Sequence, residues 1–223
     1  MAKIRLRNSK YLGDFKKPYF VAEVNTSHFG DVTLAKKMID EAKNAGCDCV
    51  KFQSWSAETL YSKTYYNENP IAKRFVKKFS FSINSLEELS NYCKHIGIDF
   101  ASTPYSKDEV NFLVDQENVP YIKVASMDLN NYQYLKYIAQ TGMPIILSTG
   151  MSELDEIHKA VSVIEGEGNR NICLLHCVSI YPPETSTISL NNILGLREEF
   201  PSYPIGYSCL LYTSDAADEG HGV

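Results

Sequence analysis

Short apolar runs alternate along the chain with longer amphipathic stretches, and that alternation predicts strand and helix in turn. The apolar runs fall at 19–24, 48–53, 98–103, 120–125, 144–148, 172–176 and 203–207, and they are rich in Val, Ile and Tyr. Between them apolar residues return at helical spacing, as Leu34, Met38, Ile39 and Ala42 do. Further helices are expected over 86–95, 108–116, 132–140, 153–165 and 190–200. Asp31, Ser85, Ser106 and Ser152 stand where helix N-caps belong, and Gly46, Gly97 and Gly142 follow helix ends. Strands apolar on both faces and separated by helices predict an α/β protein with a parallel sheet.

An open sheet and a closed barrel both fit this alternation. No G-x-G-x-x-G follows the first strand and no G-x-x-x-x-G-K-[ST] occurs, so the usual nucleotide-binding sheets lose support. The polar residues favour the barrel. Almost every predicted strand ends in a hydrogen-bonding or ionisable side chain: Glu23, Lys51 with Gln53, Thr103, Lys123 with Ser126, Ser148, His176, Ser208. A (β/α)8 TIM-type barrel gathers its strand ends into one mouth, where such barrels do chemistry. Seven runs are found where eight strands are needed, so an incomplete barrel lacking its last βα unit is expected. Residues 1–17 are expected to cap it and 18–208 to form it. After Ser208 the sequence changes character. Cys209–Glu219 resembles the translation of a transposase-type sequencing-library adapter, and 209–223 is expected to be a non-native tail.

Composition narrows the partners more than the fold. A chain of 223 residues with 44% hydrophobic positions can bury one sizeable core. Its net charge of −5 argues against a nucleic-acid partner, because phosphate backbones call for a basic face. No run approaches the ~20 apolar residues of a membrane span, and Met1–Arg7 alternates charge with apolar residues rather than building a signal peptide. Six cysteines at no zinc spacing read as reduced side chains of a cytoplasmic protein.

Lys51 and Gln53 share one side of a strand, since side chains alternate with period two. A buried ammonium is costly unless an anion meets it, and Lys123 presents the same problem in a later strand. Structural salt bridges, with Glu23 as one partner, would satisfy either lysine alone. Two lysines near strand ends, accompanied by Thr103, Ser126, Ser148 and Ser208, favour a shared pocket for a small ligand carrying phosphate and carboxylate. Schiff-base chemistry by either lysine stays open at this point. Glu23 suits a general acid/base or an acceptor for sugar hydroxyls. His28 and His176 read equally as packed or functional histidines. Tyr181-Pro182-Pro183 is expected to overhang the mouth, and residues 55–81 are either a lid or a solvated excursion.

These motifs occur together and in order: Phe20-Val21-Ala22-Glu23, His28-x-Gly30-Asp31, Val50-Lys51-Phe52-Gln53, Ser102-Thr103-Pro104-Tyr105, Tyr121–Ser126, Ile146–Met151, Leu174-Leu175-His176-Cys177 and Ile205-Gly206-Tyr207-Ser208. As a set, from about Pro18 to Ser208, they resemble the N-acetylneuraminate (sialic acid) synthase family, which also makes legionaminic and pseudaminic acids. The resemblance implies condensation of phosphoenolpyruvate with an N-acetylated hexosamine such as N-acetylmannosamine, giving a nine-carbon sugar acid and phosphate. By position it implies that Lys51, Thr103, Lys123, Ser126, Ser148 and Ser208 hold phosphoenolpyruvate, with Gln53 in the same motif. Glu23 and Tyr181 fall on the amino-sugar side. It lowers the Schiff-base alternative.

The family's divalent metal, Mn2+ or Mg2+, would be held by histidines, one of them in a Ser-Asp-His-Thr motif beginning at Ser208. Here Cys209 and Leu210 follow instead, and no metal ligand is assigned. The 223-residue chain is therefore expected to be inactive, and its parent to be a metal-dependent homodimer. A related phosphoenolpyruvate-dependent 3-deoxy sugar acid synthase and a non-catalytic sugar- or anion-binding barrel are the competing readings. Asn25-Thr26-Ser27 and Met127-Asp128 depart from the family pattern in loops expected to touch the sugar, which leaves a modified hexosamine open.

Overall fold

The structure, a computed structural model, describes residues 1–211. Residues 212–223, with His221 and most of the expected non-native tail, lie outside the described residues. The chain divides into two compact units: Met1–Pro18 together with the chain from Pro120 on, and Tyr19–Val119.

The chain opens with an antiparallel hairpin, β1 (Lys3–Arg5) and β2 (Tyr11–Gly13), in which Ile4 pairs with Leu12. Ile4 and Leu6 are buried while Lys3 and Arg5 are exposed, so the alternation at the N-terminus is that of a ribbon with one face in the core. The sequence pattern had predicted a capping segment there without strands.

In the unit Tyr19–Val119 the order is β3 (Val21–Glu23), α1 (Val32–Asn44), β4 (Cys49–Ser54), α2 (Lys63–Glu68), α3 (Pro70–Phe79), α4 (Ile83–Ile96), β5 (Asp99–Pro104) and α5 (Lys107–Asp115). The strands form a parallel sheet, β3-β4-β5, with Glu23 opposite Lys51 and Gln53 opposite Thr103. One face of β4 and β5 packs apolar side chains, with the Phe52 and Phe100 rings stacked 5.5 Å apart and wholly buried, and its two buried serines, Ser54 and Ser102, satisfy each other at 2.5 Å. Burial of that kind stabilises by roughly 2–3 kcal/mol per ring, and it fixes which face the intervening residues Lys51, Gln53 and Thr103 take.

From Pro120 the same alternation continues: β6 (Ile122–Val124), α6 (Tyr132–Gln140), β7 (Ile145–Ser148), α7 (Leu154–Gly166), β8 (Ile172–Cys177), α8 (Asn192–Glu199) and β9 (Ile205–Ser208). These strands are parallel in the order β6-β7-β8-β9. Ile122, Ile145, Leu147, Ile172 and Leu174 show no exposed surface, as expected of strands covered on both faces. All seven predicted runs are parallel strands at the predicted places, and the α/β class with parallel sheets holds.

Two predicted caps are displaced. Ser82, not Ser85, caps α4, because its Oγ accepts the Ser85 amide at 3.1 Å and the helix starts at Ile83. Glu153, not Ser152, caps α7 through a reciprocal capping box with Glu156, while the Ser152 hydroxyl donates to the Gly150 carbonyl at 3.3 Å. Asp31 caps α1 as expected, accepting the Thr33 and Leu34 amides at 2.7 and 3.1 Å. Ser106 stands at the N-cap of α5 but donates its hydroxyl to Glu109 instead of accepting a backbone amide. The 55–81 segment is a folded excursion: α2 and α3 close a cluster of Trp55, Ala57, Tyr66 and Val76, and the Trp55 indole donates to the Val76 carbonyl at 3.3 Å. Among the described residues the cysteines are free, and no helix is long and apolar enough to cross a membrane.

Candidate active site

At the C-terminal end of the β3-β4-β5 sheet, the Lys51 ammonium pairs with the Glu23 carboxylate and donates to Thr103 Oγ1 at 3.2 Å. Register brings this about: Glu23 lies opposite Lys51, and Thr103 is on the same face two residues beyond Ala101, the neighbour of Lys51. Lys51 and Thr103 are buried, whereas Glu23 and Gln53 are half-buried. Glu23 is fixed from its other side by the Asn25 amide, which donates to Oε1 at 3.0 Å. Desolvating an ammonium costs several kcal/mol, and the carboxylate and hydroxyl together offset that cost. The salt-bridge reading of Lys51 is therefore realised, in a geometry that also sets the ammonium at a strand end.

His28 is a packed residue. Its ring stacks on Phe81 with centroids 4.0 Å apart, and Nδ1 accepts the Gly30 amide at 3.0 Å. Burial outweighs the ring's hydrogen bond to the Asn25 backbone and lowers its pKa to about 4. A histidine whose folded pKa is lowered stabilises the fold above its unfolded pKa, near 6.5, and that contribution is lost as pH falls toward 4. Unfolding measured by urea is expected to weaken by about 2 kcal/mol more between pH 7 and pH 5 in the parent than in a His28→Phe chain. Equal pH slopes in the two chains would contradict this.

At the end of the other sheet, Lys123 Nζ donates to the Ser148 hydroxyl at 2.6 Å and to the Val124 carbonyl at 2.7 Å. Lys123 lies opposite Ile146, Ser148 opposite Leu175, and Cys177 opposite Ser208, so parity puts Lys123, Ser148 and Ser208 on one face. Cys173 shares that face, and burial pushes its thiol up to about 12, which removes it as a nucleophile at neutral pH. Ser126 follows β6 in a single 3-10 turn, and its Oγ accepts the Gly150 amide at 3.0 Å. The Gly150 contact is one that sequence reasoning missed, since a backbone donor leaves no trace in side-chain identity.

His176 has the opposite parity. It points to the other side of the sheet, where Nε2 lies 2.7 Å from the Ile188 carbonyl and its ring stacks 5.8 Å from Tyr207. Of its two readings, the satisfied buried histidine is the one found. Tyr181, before a cis peptide bond to Pro182, is 65% exposed in the segment after β8. Among the described residues no group of three or more His, Cys, Asp or Glu side chains could hold a metal ion. The described residues do not fit the divalent ion implied by the resemblance.

A model of the NeuB family matches residues 38–209. The chain belongs to that family. NeuB relatives include an uncharacterized protein of Methanocaldococcus jannaschii, 40% identical over 210 residues, which are 93% of this chain and 59% of the relative. The N-acetylneuraminate-9-phosphate synthase of Drosophila melanogaster is 35% identical over 198 residues, 85% of this chain and 53% of that protein. Among solved structures, the N-acetylneuraminic acid synthetase of Leptospira borgpetersenii superposes with a TM-score of 0.81 at 31% identity, over 93% of this chain and 71% of that one. The chain thus spans between half and three fifths of the curated NeuB relatives it matches.

Proposed function

We propose that this NeuB-family chain carries the phosphoenolpyruvate-binding residues of a nonulosonic acid synthase. The observation that carries the reading is found once in each unit: a buried lysine in a parallel strand, bonded to the hydroxyl two residues beyond its partner on the neighbouring strand, Lys51 to Thr103 and Lys123 to Ser148. Buried cations beside hydroxyl donors suit a small ligand that bears both phosphate and carboxylate. Lys51 and Lys123 supply charge; Thr103, Ser126, Ser148 and Ser208 donate hydrogen bonds, with Gln53 beside Lys51. Glu23 and Tyr181 are assigned to the N-acetylated hexosamine. In the reaction, C3 of phosphoenolpyruvate bonds to the sugar aldehyde carbon, water adds at C2, and the C–O bond to phosphate breaks as phosphate leaves. The (β/α)8-type barrel expected from the sequence belongs to this proposal, supported within each unit by parallel strands alternating with helices.

Calorimetry on the purified chain is expected to show phosphoenolpyruvate binding with a Kd of roughly 1 mM or tighter. Lys123→Met should weaken it at least about tenfold, the order expected for a charge-assisted contact. Binding unchanged by that substitution, or none in the parent chain, refutes the assignment. A phosphorylated hexosamine is a second reading of the acceptor, favoured by the Drosophila relative, whose name specifies a 9-phosphate. Adding three carbons to a hexosamine makes the last sugar carbon the ninth. Competition between free N-acetylhexosamines and their 6-phosphates separates the two.

A further inference from the structure

Around Gly150, the segments that follow β6, β7 and β8 crowd one backbone position. The Gly150 amide donates to Ser126 Oγ at 3.0 Å. A β-carbon at this residue would lie 2.2 Å from Ser179 Oγ, 2.9 Å from Ser126 Oγ and 3.1 Å from the Cys177 carbonyl. Gly150 is not among the residues with positive φ, so its backbone suits any L-residue and the requirement for glycine is one of room.

The direction of the Ser126 bond has a chemical consequence. A hydroxyl has one proton and two lone pairs, and an amide N–H can only donate. The Gly150 amide therefore occupies a lone pair of Ser126 and leaves its proton to be given elsewhere. Ser148 is in the same condition, since its oxygen accepts from Lys123 Nζ. Two serines near the strand ends are thus held as proton donors, the polarity that an acceptor-only anion requires.

We propose that Gly150 is a positioning residue for phosphoenolpyruvate: its amide fixes Ser126 as a donor, and its missing side chain keeps Ser126 and Ser179 in place. This rests on the phosphoenolpyruvate reading above. The test is calorimetric titration of phosphoenolpyruvate into the full 223-residue chain and its Gly150→Ala, Ser126→Ala and doubly substituted forms. Gly150→Ala should bind at least tenfold more weakly than the parent. Because it acts through Ser126, the double variant should be no more than twofold weaker than the weaker single variant. A merely structural glycine would not produce that coupling. Should Gly150→Ala fail to fold, the Gly150→Ala/Ser179→Ala chain, relieved of the closest contact, carries the same comparison. A parent chain that does not bind phosphoenolpyruvate overturns the functional reading and this inference together. A parent that binds, with Gly150→Ala binding equally well or with losses that multiply in the double variant, overturns this inference alone.

Discussion

Replacing Gly30 by alanine is expected to lower the unfolding free energy by about 4 kcal/mol, among the larger losses a single methyl can cause. Two causes act together. Gly30 has a φ of +77°, where an L-residue is strained, and a β-carbon there would fall 2.2 Å from the Lys78 carbonyl oxygen. That oxygen is backbone at the end of α3 and cannot swing aside as a long side chain would. The loop holding Gly30 also packs Phe29 in a tilted pair with Phe79 at 5.7 Å and stacks His28 on Phe81 at 4.0 Å, so displacement would loosen both aromatic contacts. Gly46 supplies the control. Its φ is +83°, yet an added β-carbon meets nothing within 4 Å, so Gly46→Ala should cost only about 1 kcal/mol. Urea unfolding of both variants reads the difference, and a Gly30→Ala loss no larger than that of Gly46→Ala would sink the close-packing argument.

The same neighbourhood marks what the sequence made legible and what it did not. The strands were readable because runs such as 144–148 and 172–176 are apolar on both faces, a property that survives in the order of residue types. The hairpin was not, since Met1–Arg7 alternates but its three-residue partner, Tyr11–Gly13, is too short to show a pattern of its own. The 55–81 excursion was missed for another reason: Trp55, Ala57, Tyr66 and Val76 follow no period and become a cluster only when α2 and α3 fold. At the candidate site, parity told that Lys51 and Gln53 share a face. Only the register of β3 against β4 brings Glu23 to Lys51 rather than to a residue one step away. Parity likewise decides His176, whose place at a strand end suggested chemistry while its odd step from Ser148's neighbour Leu175 turns it to the far face.

Lys51 allows structural and functional roles to be separated within one side chain, and there the second large effect is expected. Lys51→Met leaves the Glu23 carboxylate beside an apolar chain, its cation gone and only the Asn25 amide bonding it. The stability loss should be about 2 kcal/mol, below the ~3–5 kcal/mol of a fully buried pair because Glu23 keeps part of its surface in water. Phosphoenolpyruvate binding should fall at least about thirtyfold, since a buried charge-assisted contact is worth ~2–3 kcal/mol. Adding Glu23→Gln to Lys51→Met removes the stranded charge and should restore stability to within about 1 kcal/mol of the parent. It cannot return a cation to the ligand, so binding should stay lost. Glu23→Gln alone should keep phosphoenolpyruvate binding, because a neutral amide and the Thr103 hydroxyl compete for the ammonium less than a carboxylate does. Urea unfolding and calorimetry on the three chains give the two quantities independently. Recovery of both stability and affinity in the double variant would reduce Lys51 to half of a salt bridge and remove it from the ligand.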